Sequence, residues 1–275
     1  IADYQNTDPK WEVLLDIDAL AREQKENWVF KGAECSPGEV RCLLRLSRGG
    51  GDAVVVREYD LKAKKLADDG FALPEAKVDA AYLDDNTVLF ATAKDGETKS
   101  GYARIVKLWK RGTGLAASKV LYEGQVEDVL AAPATFHGKA GNAGLVIRAV
   151  TFFESDYFLL TGETVKQLQL PRSADVKGQF DGAWLATLRQ PYAVDGVSLP
   201  KGALAAFRDG APPQVIFAPG ARQSIESVGI GRDKVYVSIT DNVIGAVHVF
   251  TTNGKGWSDK VLPLPGQGSA DIVST

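Results

Sequence analysis

Side chains able to do covalent or acid–base chemistry are few in this chain: two histidines, two cysteines and some serines near glycine. A hydrolytic serine needs Gly-x-Ser-x-Gly on a strand-to-helix turn, which lifts the hydroxyl beside an oxyanion hole. Gly196-Val197-Ser198-Leu199-Pro200 ends in Leu-Pro with no helical pattern after it. Gly266-Gln267-Gly268-Ser269-Ala270 lacks the second glycine and leads into a strand-like run. A triad base must hold a carboxylate on one side and a serine on the other. His248 alternates within a strand pattern and His137 sits in the glycine-rich stretch Phe136–Gly144, so both read as structural or solvated. No catalytic residue is assigned.

Ligand-binding patterns are equally thin, and neither a cofactor nor a metal is expected. Gly49-Gly50-Gly51 is followed by a strand, whereas a phosphate cradle opens a helix whose N-terminus faces the anion; it reads as a hairpin turn. Gly138–Gly144 lacks the spacing and the βαβ setting of a dinucleotide fingerprint. Asp68-Asp69-Gly70 and Asp84-Asp85-Asn86 lack the further ligands of a calcium loop and read as turns capped by their own side chains. Cys35 and Cys42 flank Ser36-Pro37-Gly38-Glu39. If that turn closes a hairpin, Cys35 faces Val40 and Cys42 faces Ala33, a diagonal offset that suits a disulfide poorly. Two buried free thiols are expected.

The 275 residues are 45% hydrophobic and 24% charged, enough for a well-buried core, and the net charge of −3 is small. Basic residues are spread rather than clustered, which argues against a nucleic-acid partner. Apolar runs such as Val54–Val56 fall far short of a membrane span, so no membrane partner is expected either. The start, Ile1-Ala2-Asp3-Tyr4, has neither the charged flank nor the apolar stretch of a targeting signal. It reads as the interior of a longer chain, which leaves cytoplasmic and periplasmic locations both open.

The elements that must position any site repeat. Short β-rich runs ending in a Leu-Pro, Ala-Pro or Glu-Gly corner occur at Trp11–Asp16, Gly70–Pro74, Lys119–Gly124, Val165–Pro171, Gln214–Pro219 and Lys260–Pro265. After a longer first interval the corners lie nearly fifty residues apart, the period of propeller blades. Small-residue, β-branched segments follow the corners at Val78–Leu83, Asp128–Thr135, Ile225–Ile230 and Ala270–Ser274, and suit inner strands crowded near an axis. Arg41–Leu46 with Ala53–Tyr59, Thr87–Ala91 with Ala103–Trp109, and Lys234–Ile239 with Ala246–Phe250 alternate as hairpin partners. Only Ile17–Lys25 looks helical.

The expected fold is therefore all-β: a β-propeller of four-stranded antiparallel blades. The blades fall at about 26–74, 75–124, 125–171, 172–219 and 220–265, with partial blades at 1–16 and 266–275. A sandwich gives no reason for the fixed spacing. The two loose ends either belong to blades completed elsewhere or pair with each other as a sixth.

Several strings, in order along the whole chain, resemble the N-terminal propeller of bacterial prolyl oligopeptidases. They include Pro9–Leu20, Glu26–Phe30, Leu46–Ala53, Val56–Asp60, Asp69–Lys77 and Ala149–Phe153. Asp241–Gly245 continues the series, and Ser269–Thr275 resembles the entry to the last blade. Thr98-Lys99-Ser100-Gly101-Tyr102-Ala103-Arg104 and Trp109-Lys110-Arg111-Gly112-Thr113 are similar to the family's Ser-Gly-Tyr-Pro-Arg and Trp-x-Arg-Gly-Thr. Ala103 stands where the family has proline, which is expected to loosen that loop. The resemblance implies seven blades in the full protein, capping an α/β-hydrolase domain of the same polypeptide. It also implies short proline-containing peptides as substrates and a Ser-His-Asp triad outside this chain.

It further implies that Lys94–Arg104 corresponds to a mobile loop near the hydrolase domain. Thr98, Ser100, Tyr102 and Arg104 are then expected to face that domain and gate or line the peptide chamber, against the plainer reading of a solvated hairpin loop. Two other functions compete: a free-standing interaction scaffold, and a propeller enzyme or lectin with a site at the axis. The inner segments carry Ala, Val, Ile and Ser rather than repeated acid, His or aromatic clusters, which disfavours the latter. An oligopeptidase cleaving after basic residues and an acylaminoacyl peptidase share the propeller and are the nearest relatives to separate.

Overall fold

The computed structural model describes residues 8–266 and 268–272. The chain divides into two compact units, Ile1–Glu123 and Gly124–Thr275. In the first, helix α1 (Ile17–Gln24) begins where the Asp16 carboxylate accepts the Ala19 N–H at 2.9 Å and ends with Lys25 in the left-handed region. Sheet one holds β1 (Trp28–Cys35), β2 (Arg41–Arg48) and β3 (Val54–Asp60), with β4 (Lys65–Leu66) and β5 (Ala72–Ala76) both pairing with β3. Sheet two runs β6 (Val78–Asp84), β7 (Thr87–Thr92), β8 (Ile105–Lys110), β9 (Lys119–Glu123).

In the second unit, sheet three is β10 (Leu130–Gly138), β11 (Gly141–Ala149), β12 (Ser155–Thr161), β13 (Thr164–Gln167). Sheet four starts with β14 (Ala174–Phe180) and β15 (Ala183–Leu188). It leaves through the separate hairpin β16 (Tyr192–Val194) and β17 (Val197–Leu199), then resumes with β18 (Leu204–Arg208) and β19 (Ala211–Phe217). Pro212 and Pro213 are tolerated because β19 is an edge strand that pairs only with β18. Sheet five is β20 (Gln223–Ile230), β21 (Val235–Asp241), β22 (Ile244–Thr252), β23 (Trp257–Val261). All pairings are antiparallel, and all but β3–β5 and β15–β18 join strands that follow one another in the chain.

Period-two alternation decides which side chain enters which core. In β2, Leu43 joins Val54, Phe71, Tyr82, Phe90 and Trp109 between sheets one and two. Its neighbours Cys42, Leu44 and Leu46 turn to the other face, where Leu20 of α1 covers them. In sheet four, Trp184, Ala186, Ala205 and Phe207 pack toward sheet three, while Ala183, Leu185, Leu204 and Ala206 pack toward sheet five. The first strands of neighbouring sheets approach one another, β1 to β6 in one unit and β10 to β14 to β20 in the other. Close approach there suits the small Ala80, Ala131 and Ala174.

Three expectations are corrected. Trp11–Asp16 forms no strand; Asp16 is spent capping α1, and the Leu14 carbonyl accepts the Tyr59 hydroxyl. The rest of the partial blade expected at 1–16 lies largely outside the described residues. Ala270–Ile272 is not a strand either, and residues 273–275 lie outside the described set. Gly268–Ala270 instead lies against sheet five: the Gly245 N–H donates to the Gly268 carbonyl at 2.8 Å and the Ser238 hydroxyl to that of Ala270. A Cβ on Gly245 would stand 2.4 Å from the Ala270 nitrogen, so only glycine admits this crossing.

The third correction concerns the cysteines, which form a disulfide. Ser36 donates to the Arg41 carbonyl at 2.8 Å, so the turn holds two more residues than a tight hairpin, and Cys35 falls directly opposite Cys42. Theirs is a non-hydrogen-bonded position, where facing side chains lie closest. The Cα atoms are 3.8 Å apart. Cys42 is buried and Cys35 exposed.

A buried charge locks sheet one to sheet two. Glu58 of β3, its side chain wholly shielded, accepts two hydrogen bonds from Arg111, at 2.8 and 2.6 Å, and another from the Tyr82 hydroxyl. The Phe71 N–H adds a contact at 3.2 Å. Arg111 also donates to the Asp85 carbonyl and the Asn86 side chain, and its guanidinium lies 4.5 Å from the Phe71 ring centre. The Trp-x-Arg-Gly-Thr string builds this corner: Trp109 donates to the Thr113 carbonyl at 2.9 Å, and Gly112 supplies a left-handed turn at φ 78°. Burial pushes the Glu58 carboxyl up, but the Arg111 and Tyr82 hydrogen bonds outweigh it and hold the group below its ordinary value.

Two outcomes follow. Titration of thiols in the unfolded, unreduced protein should find none, and replacing both cysteines by serine should cost about 2.5 kcal/mol by loop-closure entropy, read from urea unfolding. Glu58→Gln should cost about 3 kcal/mol at neutral pH by leaving Arg111 buried without its partner. Because the folded carboxyl titrates below the unfolded one, the wild-type advantage is complete above the unfolded value near 4.5. It should fade as pH falls through the folded value. An advantage that grew on acidification would contradict the assignment.

Candidate functional site

The connection between β7 and β8, Lys94–Arg104, is a compact folded-back loop. Ala93 donates to the Lys77 carbonyl at 3.0 Å, and the Thr92 hydroxyl caps a short 3-10 turn over Ala93–Asp95. The chain then doubles back: Arg104 donates to the Gly96 carbonyl at 3.1 Å, Glu97 bridges to Ala103, and Thr98 donates to the Tyr102 carbonyl at 2.9 Å. Gly101 closes the tip at φ 73°, a left-handed position that favours glycine. Lys107 of β8 pairs with Asp95 at 2.9 Å across the base.

The four expected residues divide in two. Thr98 is buried under the loop, with its hydroxyl accepting from the Tyr102 N–H at 3.4 Å. Arg104 is half-buried and donates to the Glu123 carboxylate of β9. Ser100 is exposed at the tip, and Tyr102 is 40% exposed. Ala103, expected to loosen the loop, is instead buried and tied to Glu97 by the bridge. Sequence reading missed Lys77, whose ammonium lies 4.5 Å from the Tyr102 ring centre. It also missed Glu123; neither carries a local motif, because both reach the loop from other strands. The displayed groups are hydroxyls beside a cation, able to bind a peptide carbonyl or carboxylate. They do not include a nucleophile with its base.

The other candidates resolve into structure. Gly196 and Asp195 form the left-handed turn of the β16–β17 hairpin, so Ser198 is an exposed strand residue and not a nucleophile on an elbow. His137 contacts Asn142 at 3.0 Å across the β10–β11 hairpin. His248 stands 2.8 Å from the Asp259 carboxylate of β23, stacked on Phe250 and tilted against Phe217. That is the carboxylate-oriented half of a triad, but its aromatic surroundings make it a packing residue. Among the described residues, no three His, Cys, Asp or Glu side chains gather as a metal site.

Residues 2–275 match the model of the prolyl oligopeptidase N-terminal β-propeller domain. The chain belongs to that family. An uncharacterized peptidase of Sinorhizobium fredii, y4nA, is 33% identical over 99% of this chain and 40% of its own length. A second uncharacterized peptidase, RP174 of Rickettsia prowazekii, is 25% identical over 100% of this chain and 42% of its own. Among solved structures, a post-proline cleaving enzyme from Rickettsia typhi superposes with a TM-score of 0.88 at 24% identity, over 96% of this chain and 42% of that one. Oligopeptidase B from Trypanosoma brucei superposes with a TM-score of 0.66 at 13% identity. These likenesses show the fold. The chain spans about two fifths of the length of the curated relatives it matches.

Proposed function

We propose that this chain is the non-catalytic propeller domain of a proline-specific serine oligopeptidase, restricting peptide access to an α/β-hydrolase domain elsewhere in the same polypeptide. The observation that carries the reading is a propeller-family match across residues 2–275 in a chain whose two histidines are engaged by Asn142 and by Asp259. Relatives described as peptidases, and a post-proline cleaving enzyme with this fold, support the choice of chemistry. Ser100 and Tyr102 at the tip of the β7–β8 loop, with Thr98 and Arg104 holding its shape, are assigned to the peptide path.

The Cys35–Cys42 disulfide favours the periplasm over the cytoplasm, since disulfides persist where the surroundings are oxidising. Alkylation of protein taken directly from its source cells should leave both cysteines unlabelled; labelling of both would remove the argument.

The chain alone should not hydrolyse a Gly-Pro chromogenic peptide, whereas the full-length protein should, sensitively to serine-directed inhibitors. A full-length Tyr102→Ala, Arg104→Ala variant should change kcat/KM several-fold more for long peptides than for short ones. Wild-type kinetics on both would remove the loop from the peptide path. A reading frame ending at Thr275 would overturn the peptidase reading itself.

A further inference from the structure

The Cys35–Cys42 bond joins two sulfurs with unlike surroundings. Cys42 is buried with Leu44, Leu46 and Tyr59 on the face that α1 covers, whereas Cys35 is exposed on β1. Among the described residues β1 pairs only with β2, and a register shift between Phe30 and Ala33 interrupts that ladder. Beyond the shift only Ala33, Glu34 and Cys35 remain paired, with Leu44, Leu43 and Cys42. So short a ladder at the end of a hairpin opens locally at little cost, and the disulfide closes its last pair.

That hairpin end reaches sheet two at two points. Glu34 accepts the Tyr82 N–H of β6 at 3.2 Å and lies 3.6 Å from Arg45, which donates to the Ala80 carbonyl at 2.9 Å. Past Cys35, the Gly38 N–H donates to the Asp85 carboxylate in the β6–β7 turn at 3.0 Å. The approach is close: a Cβ on Gly38 would stand 2.7 Å from that carboxylate. The same β6–β7 turn holds Arg111, the partner of buried Glu58, through the Asp85 carbonyl and the Asn86 side chain. The Arg111 N–H donates to the Asn86 carbonyl at 2.8 Å. Within the Ser36–Val40 turn, Glu39 is held in the left-handed region at φ 52°, a conformation that persists only while its surroundings impose it.

We infer that Cys35–Cys42 is a reducible latch, whose opening releases the Ser36–Val40 turn from Asp85 and loosens the hold of the β6–β7 turn on Arg111. Exposure decides where the chemistry begins, because thiol–disulfide exchange needs access to a sulfur. One thiolate of a dithiol attacks the Cys35 sulfur and forms a mixed disulfide there. The Cys35–Cys42 bond breaks, and the Cys42 sulfur leaves with the electron pair and takes a proton, the form its apolar surroundings favour. The second thiol of the reductant then displaces Cys35. The protein gains two thiols, and the dithiol is oxidised to a disulfide. Oxidising surroundings keep the latch closed.

The test follows amide hydrogen exchange in the full-length protein by mass spectrometry, before dithiothreitol, after it, and again after reoxidation. Reduction should free two thiols without denaturant and raise exchange about ten-fold in the peptide containing Gly38. Exchange in the peptide containing Arg111 should rise by a smaller factor, and sheets three to five should not respond. Reoxidation should reverse both changes. Cys35→Ser with Cys42→Ser should show the reduced pattern whether or not dithiothreitol is present. Asp85→Ala should raise exchange at Gly38 and Arg111 while the disulfide is intact, and dithiothreitol should then add nothing at Arg111. A bond that survives dithiothreitol in the folded protein would overturn the latch. So would a response confined to Ser36–Val40, which would make the disulfide a staple of its own turn, or one spread through the whole chain.

Discussion

Everything in this chain depends on sheets that are apolar on both faces. A four-stranded sheet with one solvated face alternates apolar and polar residues, yet β15 and β18 of sheet four bury consecutive residues on alternate sides. Such a sheet cannot be covered by a single neighbour. It requires one in front and one behind, which is why the chain repeats the same unit at nearly constant spacing. Sheet one meets the same demand with α1 on one face and sheet two on the other. Crowding where first strands meet then selects alanine and other small residues, leaving the chemistry-bearing side chains for the connections at the sheet ends.

Charged clasps supply the specificity that apolar faces lack. Two greasy sheets can slide; a buried carboxylate with a fixed set of donors cannot. Glu58 sets the position of sheet two against sheet one through Arg111 and Tyr82, and the Asp128–Arg148–Asp156–Arg172 chain ties the inner strands of sheet three to the segments that flank the sheet. Removing one partner leaves an uncompensated buried charge and is strongly destabilising, although the intact pair adds little over a well-packed apolar replacement.

The fold was legible because its governing constraint is written at short range. Alternation identified the hairpins, and corners of proline and glycine marked where sheets end. Trp11–Asp16 misled because it looks like a strand, whereas what decides its fate is a helix cap at Asp16 and a hydroxyl arriving from Tyr59. The disulfide was missed for a related reason. Hairpin register depends on turn length, and a turn longer by two residues converts an offset pair into a facing one. At the loop site, the tip residues could be read from the sequence, but not the burial of Thr98 or the contacts from Lys77 and Glu123, which arrive from other strands.

The central claim is that this domain filters substrates for chemistry done elsewhere in the polypeptide. The most direct measurement offers the full-length protein the same Gly-Pro sequence twice, once as a free short peptide and once within an exposed loop of a stable folded carrier. Cleavage of the free peptide with the carrier left intact is the predicted result. Cleavage of both at similar rates would contradict the account.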